Sequence, residues 1–227
     1  MIEFLFCFTT TLVFVKLKNS SPFYLNSHRM FYNMNYILVG LGNPGAEYEN
    51  TRHNTGKMFL EYLAVKNKTQ LTKSKSGKAE DAEIKLGKKK ALLVFPTVFM
   101  NNSGKVISSY VKSAKDRERL AVVYDDLDLP LGKVKLSYGR NSGGHRGLES
   151  IIKNLKSKDF LRVRIGISPA SPSGKLRKPS GEKEVIDFIL AKFKPSEKDV
   201  LKKEFKRIGE ALEVFVEKGR EVAMSTF

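Results

Sequence analysis

From residue 36 onward, short apolar runs alternate with stripes at helical spacing. Six runs read as strands: Tyr36 to Gly40, Ala82 to Leu86, Ala91 to Phe95, Leu120 to Tyr124, Val134 to Tyr138 and Leu161 to Ile167. Between them, Met58, Phe59, Tyr62 and Leu63 fall on one helical face, with Asn54 or Thr55 placed to cap the helix. Val106, Ile107, Tyr110 and Val111 make a second stripe, and Leu148, Ile151, Ile152 and Leu155 a third. The "LGKKK" at 86–90 reads as a hairpin turn, so the sheet must contain antiparallel pairs. After Ser168, "PASPSGKLRKPSGEK" has the composition of a mobile loop. Two helices, about Glu182 to Phe193 and Ser196 to Lys218, close the chain on either side of Pro195. With no internal repeat and no interdomain linker, residues 34–227 are expected to form a single-domain α/β sandwich, its mixed, mostly parallel twisted sheet flanked by helices.

The first 33 residues do not continue this pattern. Ile2 to Val15 is an apolar run interrupted by Glu3 and three threonines, too short for an ordinary membrane span. Glu3 stands where a signal peptide would carry positive charge, and "KLKNSSPFY" follows where small residues are needed. Residues 1–33 are therefore read as an extension outside the fold, upstream of a start at Met34, with an N-terminal anchor as the other reading.

Charge narrows the partners. The chain carries 41 Lys and Arg against 24 Asp and Glu, a formal net of +17. Residues 1–33 hold Lys16, Lys18 and Arg29 against Glu3, or 3 − 1 = +2, so +15 belongs to the body. Such a surplus attracts polyanions, and nucleic acid fits better than a membrane surface because no basic amphipathic helix stands out. A single cysteine, Cys7, excludes an intramolecular disulfide and a Cys-rich zinc site, which suits a reducing cytoplasm.

Gly40-x-Gly42-x-x-Gly45 has the spacing of a dinucleotide fingerprint, but its context is wrong. Pro44 lacks an N–H, residues 46–52 offer no apolar face for a helix opening at once, and no acid stands about twenty residues on. The segment contains neither a G-x-S-x-G elbow nor a phosphate-binding loop with Lys, and neither occurs elsewhere in the chain. Three aspartates at 125, 126 and 128 lack the spacing of a calcium loop, so no metal is expected.

Polar residues cluster after the strands: Asn43 and His53 after the first, Asn101, Asn102 and Ser103 after the third, Asp125, Asp126 and Asp128 after "LAVVY", and "GRNSGGHRGL" after Tyr138. Four loops are thereby expected to meet at one sheet edge, where open α/β sheets place their sites. Of three histidines, His28 lies in the extension. His53 and His145 remain as candidate bases or as structural imidazoles, and Asp125 is placed to hold an imidazole in one tautomer.

Four segments in order, "VGLGNPGAEYENTRHNTG", "PTVFMNNSGK", "VVYDDLDLPLGKVKL" and "SGGHRGLESI" with "FLRVRIGI", resemble bacterial-type peptidyl-tRNA hydrolase from about Asn35 to the last helix. The resemblance implies a phosphorylase/hydrolase-like fold, a cytoplasmic monomer without cofactor, and cleavage of the ester joining a peptide to the 3′-terminal ribose of tRNA. It implies His53 as base, Asp125 as its orienting acid, and Asn43 and Asn101 as groups that position water or substrate and receive negative charge. Tyr48 and Phe99 would wall the cleft, and Lys135 and Arg164 would meet tRNA phosphate. His145 belongs to the same binding set. The family usually reads "GGHNGL", and here Arg146 replaces the asparagine, so this residue is expected to alter affinity by binding phosphate or the substrate carbonyl. The alternative function is that of a non-catalytic RNA-binding relative on the same fold, as some chloroplast relatives are.

Overall fold

The computed structural model describes residues 36–171 and 173–227; the readings made of residues 1–33, His28 included, lie outside them. Strand β1 (Tyr36–Gly40) leads through short 3-10 turns at Ala46–Tyr48 and Arg52–Asn54 into α1 (Thr55–Lys66). Then come β2 (Thr72–Lys73), β3 (Ala79–Leu86), β4 (Lys89–Pro96), a 3-10 turn at Met100–Asn102, α2 (Ser103–Tyr110) and α3 (Ala114–Glu118). The long β5 (Leu120–Pro130), β6 (Val134–Tyr138), α4 (Arg146–Leu155) and β7 (Leu161–Ser168) complete the sheet, and α5 (Glu182–Leu190), α6 (Pro195–Lys218) and α7 (Arg220–Thr226) end the chain.

The sheet runs β2-β3-β4-β1-β5-β7-β6. Its four central strands, β4, β1, β5 and β7, are parallel, whereas β2, β3 and β6 pair antiparallel at the two edges. Alternation along the central strands divides the core into two layers. Leu38, Ala121, Val123, Val163 and Ile165 face α1 and α6 through Phe59, Leu63, Phe205 and Leu212. Ile37, Val39, Val122 and Tyr124 face α2 and α4 through Val106, Ile107, Leu148 and Ile151.

Gly40 of the "GLGNPG" segment and Gly56 at the start of α1 work in packing. A Cβ on Gly40 would lie 2.4 Å from the Gly56 carbonyl oxygen, and one on Gly56 would lie 2.3 Å from that of Val123. The start of α1 is thus pressed directly onto β1 and β5, which side chains at 40 and 56 would prevent. This contact fixes the turn that carries His53.

Several expectations are corrected. Asn54 is the residue before α1 but makes no side-chain cap. β5 does not end at Tyr124 but continues to Pro130, so Asp125 and Asp126 lie within the strand instead of after it. In the segment after Ser168, Ala170 bridges antiparallel to Leu176 and the Arg177 N–H donates to the Pro169 carbonyl at 2.8 Å. α5 ends at Leu190, and α7 adds a third C-terminal helix. Both α3 and β2 escape periodicity because they bury nothing; α3 rests instead on a capping box between Ser113 and Asp116.

Candidate active site

Nine of the ten residues singled out by chemistry line one cleft, and His145 reaches it only because the chain returns on itself. Since β6 is antiparallel to β7, its end at Tyr138 pairs with Leu161, away from the carboxyl ends of the central strands. Residues 139–145 therefore run back along the sheet to bring His145 to Asp125, rather than leaving from a shared edge as expected. Arg162, fully buried on β7, helps to order this return: its Nη2 donates to the Arg140 carbonyl, and its guanidinium lies 4.6 Å from the Phe160 ring centre.

Asp125 is the centre of the site. His53 Nδ1 lies 3.1 and 3.0 Å from its two oxygens, and His145 Nε2 lies 3.1 Å from Oδ1. The two histidines arrive from opposite layers, His53 ahead of α1 and His145 ahead of α4, and their rings are 4.9 Å apart. Burial alone would raise the Asp125 pKa, but the two imidazoles, through their potential and hydrogen bonds, hold it well below the usual carboxylate range. An ionised carboxylate only accepts, so both facing ring nitrogens must carry protons. Leu148 N–H reinforces this by donating to His145 Nδ1 at 3.3 Å, which leaves the proton of that ring on Nε2. His53, with its proton on Nδ1, keeps a lone pair on Nε2.

His53, Asp125 and His145 also form the one group of metal-type ligands among the described residues, their donor atoms within 4.8 Å of one another. The hydrogen bonding opposes that use. A metal on His145 Nε2 would put the ring proton on Nδ1, facing the Leu148 N–H donor.

The turn that holds His53 is anchored on both sides. Asn54 spends its side chain on the backbone of Asn43, accepting from its N–H at 2.8 Å and donating to its carbonyl at 2.9 Å. Asn43 Oδ1 in turn accepts from Met100 N–H at 2.9 Å, so the amide NH2 is the donor left for the cleft. Arg52 is buried, paired through Nη2 with both Glu197 oxygens at 3.1 and 3.0 Å, and stacked 4.5 Å from Phe188. It ties the turn to the junction of α5 and α6. The sequence pattern marked Asn54 only as a helix cap and Arg52 not at all, although their place beside His53 in "TRHNTG" was the available signal.

A cavity of about 1050 Å³ is lined by Asn43, His53, Phe99, Asn101, Asp125, Lys135, His145, Arg146 and Arg164. Tyr48 lies outside this lining but packs edge-on against Phe99, ring centres 6.4 Å apart, and Phe99 is 59% exposed. Lys135 is exposed, whereas Arg164 is engaged by Asp126 at 2.6 Å. Arg146 is exposed at the rim and paired with Glu182. The opposite wall comes from residues not foreseen: Lys178, Glu182, Val185, Ile186 and Ile189. Tyr124, another lining residue, lies edge-on to His145, and burial and the Asp126 charge push its hydroxyl up to about 12, so it stays neutral.

The α/β sheet thus carries a buried His–Asp pair at the floor of a cleft rimmed by cations. The sequence profile described as peptidyl-tRNA hydrolase matches residues 37–227. The chain is 41% identical over 184 residues to the peptidyl-tRNA hydrolase of Prochlorococcus marinus, covering 81% of this chain and 88% of that protein. It is 40% identical over 200 residues to that of Kineococcus radiotolerans, covering 85% and 96%. Its fold is similar to the crystal structure of peptidyl-tRNA hydrolase from Acinetobacter baumannii, with a TM-score of 0.73, 28% identity, and 84% and 93% of the two chains covered. The chain belongs to the peptidyl-tRNA hydrolase family.

Proposed function

We propose that this protein hydrolyses the ester between a peptide and the 3′-terminal ribose of tRNA, returning free tRNA to translation. The observation that carries the proposal is the double clamp on Asp125, which holds His53 with its proton on Nδ1 and its Nε2 free beside the cleft.

In this reading His53 Nε2 takes a proton from water as the water oxygen bonds to the ester carbonyl carbon. Asp125 remains ionised and stabilises the imidazolium that forms. The Asn43 amide NH2, fixed by Met100, and Asn101 receive the charge developing on the carbonyl oxygen. The imidazolium then returns its proton to the ribose oxygen as the carbon–oxygen bond breaks. Water supplies every atom the products gain, so the reaction needs no cofactor or metal. Phe99 and Tyr48 offer an apolar wall to the peptide side, while Lys135, Arg164 and Arg146 face the RNA backbone. Contacts to phosphate carry no sequence information, which suits an enzyme for many tRNAs.

The reading places the protein in the cytoplasm as a monomer. Among the described residues no helix is long and apolar enough to cross a membrane.

The test is incubation of the full chain with N-acetylated aminoacyl-tRNA. Release of tRNA and the N-acetyl amino acid is expected; salt-sensitive tRNA binding without release would instead indicate the RNA-binding relative.

A further inference from the structure

Three cations of the cleft are each held by an acid of the same cleft. Arg164 Nε is 2.6 Å from Asp126, Lys178 Nζ is 2.8 Å from Asp128, and Arg146 Nη2 is 3.0 Å from Glu182. All six residues line the cavity around the His–Asp site. The pairs differ in exposure. Arg164 and Asp126 are largely covered, at 26% and 11%, whereas Arg146 and Glu182 are 65% and 79% exposed, and Lys178 and Asp128 are 55% and 59%. Exposed pairs are weak and exchange partners readily, because each charge regains water when it lets go. The Arg146–Glu182 pair is also singly bonded, with most guanidinium donors left for a second acceptor.

We propose that Glu182 and Asp128 are specificity-determining residues: they occupy Arg146 and Lys178 until phosphates of a correctly seated tRNA replace them. The inference rests on the reading that tRNA enters this cleft. A carboxylate beside each cation lowers the affinity of the cleft for any polyanion, because the incoming phosphate must displace an acid or sit near its charge. An RNA that also fits the rest of the cleft overcomes this barrier, and one that offers phosphates alone does not. Arg146, Lys178 and their acids lie on α4, the 169–181 segment, α5 and β5, so both pairs bridge different walls of the cleft mouth. Exchange to phosphate therefore couples substrate entry to release of those bridges.

The experiment compares full-length protein with Glu182→Gln, Asp128→Asn, Arg146→Ala and the Glu182→Gln/Arg146→Ala double variant. Binding of uncharged tRNA and of an unrelated RNA duplex is measured at several salt concentrations, with turnover of N-acetyl-aminoacyl-tRNA alongside. Glu210→Gln, an exposed acid on α6 outside the cavity lining, controls for net charge. Glu182→Gln is expected to tighten tRNA binding about two- to fivefold, the range an exposed pair is worth. It should tighten duplex binding more than tRNA binding, so that preference for tRNA shrinks, with the kinetic change falling on KM. In the Arg146→Ala background the same substitution should have no effect, and Arg146→Ala should reduce the salt slope by about one. Weaker or unchanged binding by Glu182→Gln, an equal gain from Glu210→Gln, or a gain that survives Arg146→Ala would overturn the proposal. Absence of turnover by the unsubstituted protein would strike the hydrolase reading instead, and the binding comparisons would still decide this one.

Discussion

His145 Nε2 stands 3.1 Å from Asp125 Oδ1, and the Leu148 amide on its other ring nitrogen makes it the donor. In the proposed mechanism the histidine of the Gly-rich turn would therefore position the carboxylate that also bonds His53. His145→Ala should lower kcat by about tenfold with a smaller change in KM, since it removes one of two protons from a buried carboxylate but leaves His53 in place. His145→Gln, whose amide can donate to Asp125, should recover part of that loss. Equal losses in the two variants, as steady-state kinetics would reveal, would count against the role.

Asp125→Asn presents an amide where an acceptor is required, so His53 loses the partner that fixes its proton on Nδ1. The comparable substitution in serine proteases costs about 10⁴ in kcat. A loss on the order of 10² or more is expected here, with tRNA affinity retained.

The same residue gives a pH dependence of stability. An unfolded aspartate titrates near pH 3.9, and folded Asp125 is held lower by the two imidazoles against its burial. Its stabilisation is therefore complete above about pH 4 and is lost as pH falls through the folded value. Urea denaturation between about pH 5 and pH 2 should show a steeper loss for the natural protein than for Asp125→Asn; parallel curves would contradict the assignment.

Gly56→Ala should destabilise the fold by roughly 1–3 kcal/mol, the usual cost of an overpacked core position, because the added methyl meets the Val123 carbonyl at 2.3 Å. Since α1 would have to lift from β1 and β5, activity should fall more than stability alone explains. Chemical denaturation and turnover measured on the same preparation separate the two effects.

Arg52→Met should cost about 3–5 kcal/mol by leaving Glu197 without its bidentate partner. Arg52→Met combined with Glu197→Met should recover much of that stability. Turnover is expected to recover less, because the turn before α1 also depends on Arg52 bonds to the Ala191 and Lys192 carbonyls.

Much of this site was legible in the chain, and the limits have physical reasons. The central strands announced themselves through apolar runs buried on both faces, and Asn43, His53 and Asp125 through polar residues at their ends. The return of residues 139–145 was not legible, because the direction of β6 depends on pairing with β7 and not on its own sequence. Gly40 could be freed from a nucleotide role by Pro44 and the missing acid, but its close approach to Gly56 at the start of α1 is a tertiary fact. Nothing in the chain marked Arg52 and Arg162 for burial; the Phe188 ring, Glu197 and the Arg140 carbonyl account for it. Glu182 and Lys178 sat in a stretch whose composition signalled a solvated loop, while their meaning lies in partners 36 and 50 residues away.

The most direct test of the account is single-turnover hydrolysis of N-acetyl-aminoacyl-tRNA by the full chain and by His53→Ala, with tRNA affinity measured for both. A base held by Asp125 predicts a rate at least about a hundredfold lower for the variant, with affinity nearly unchanged. A rate within tenfold of the natural protein would show that His53 is not the group that activates water.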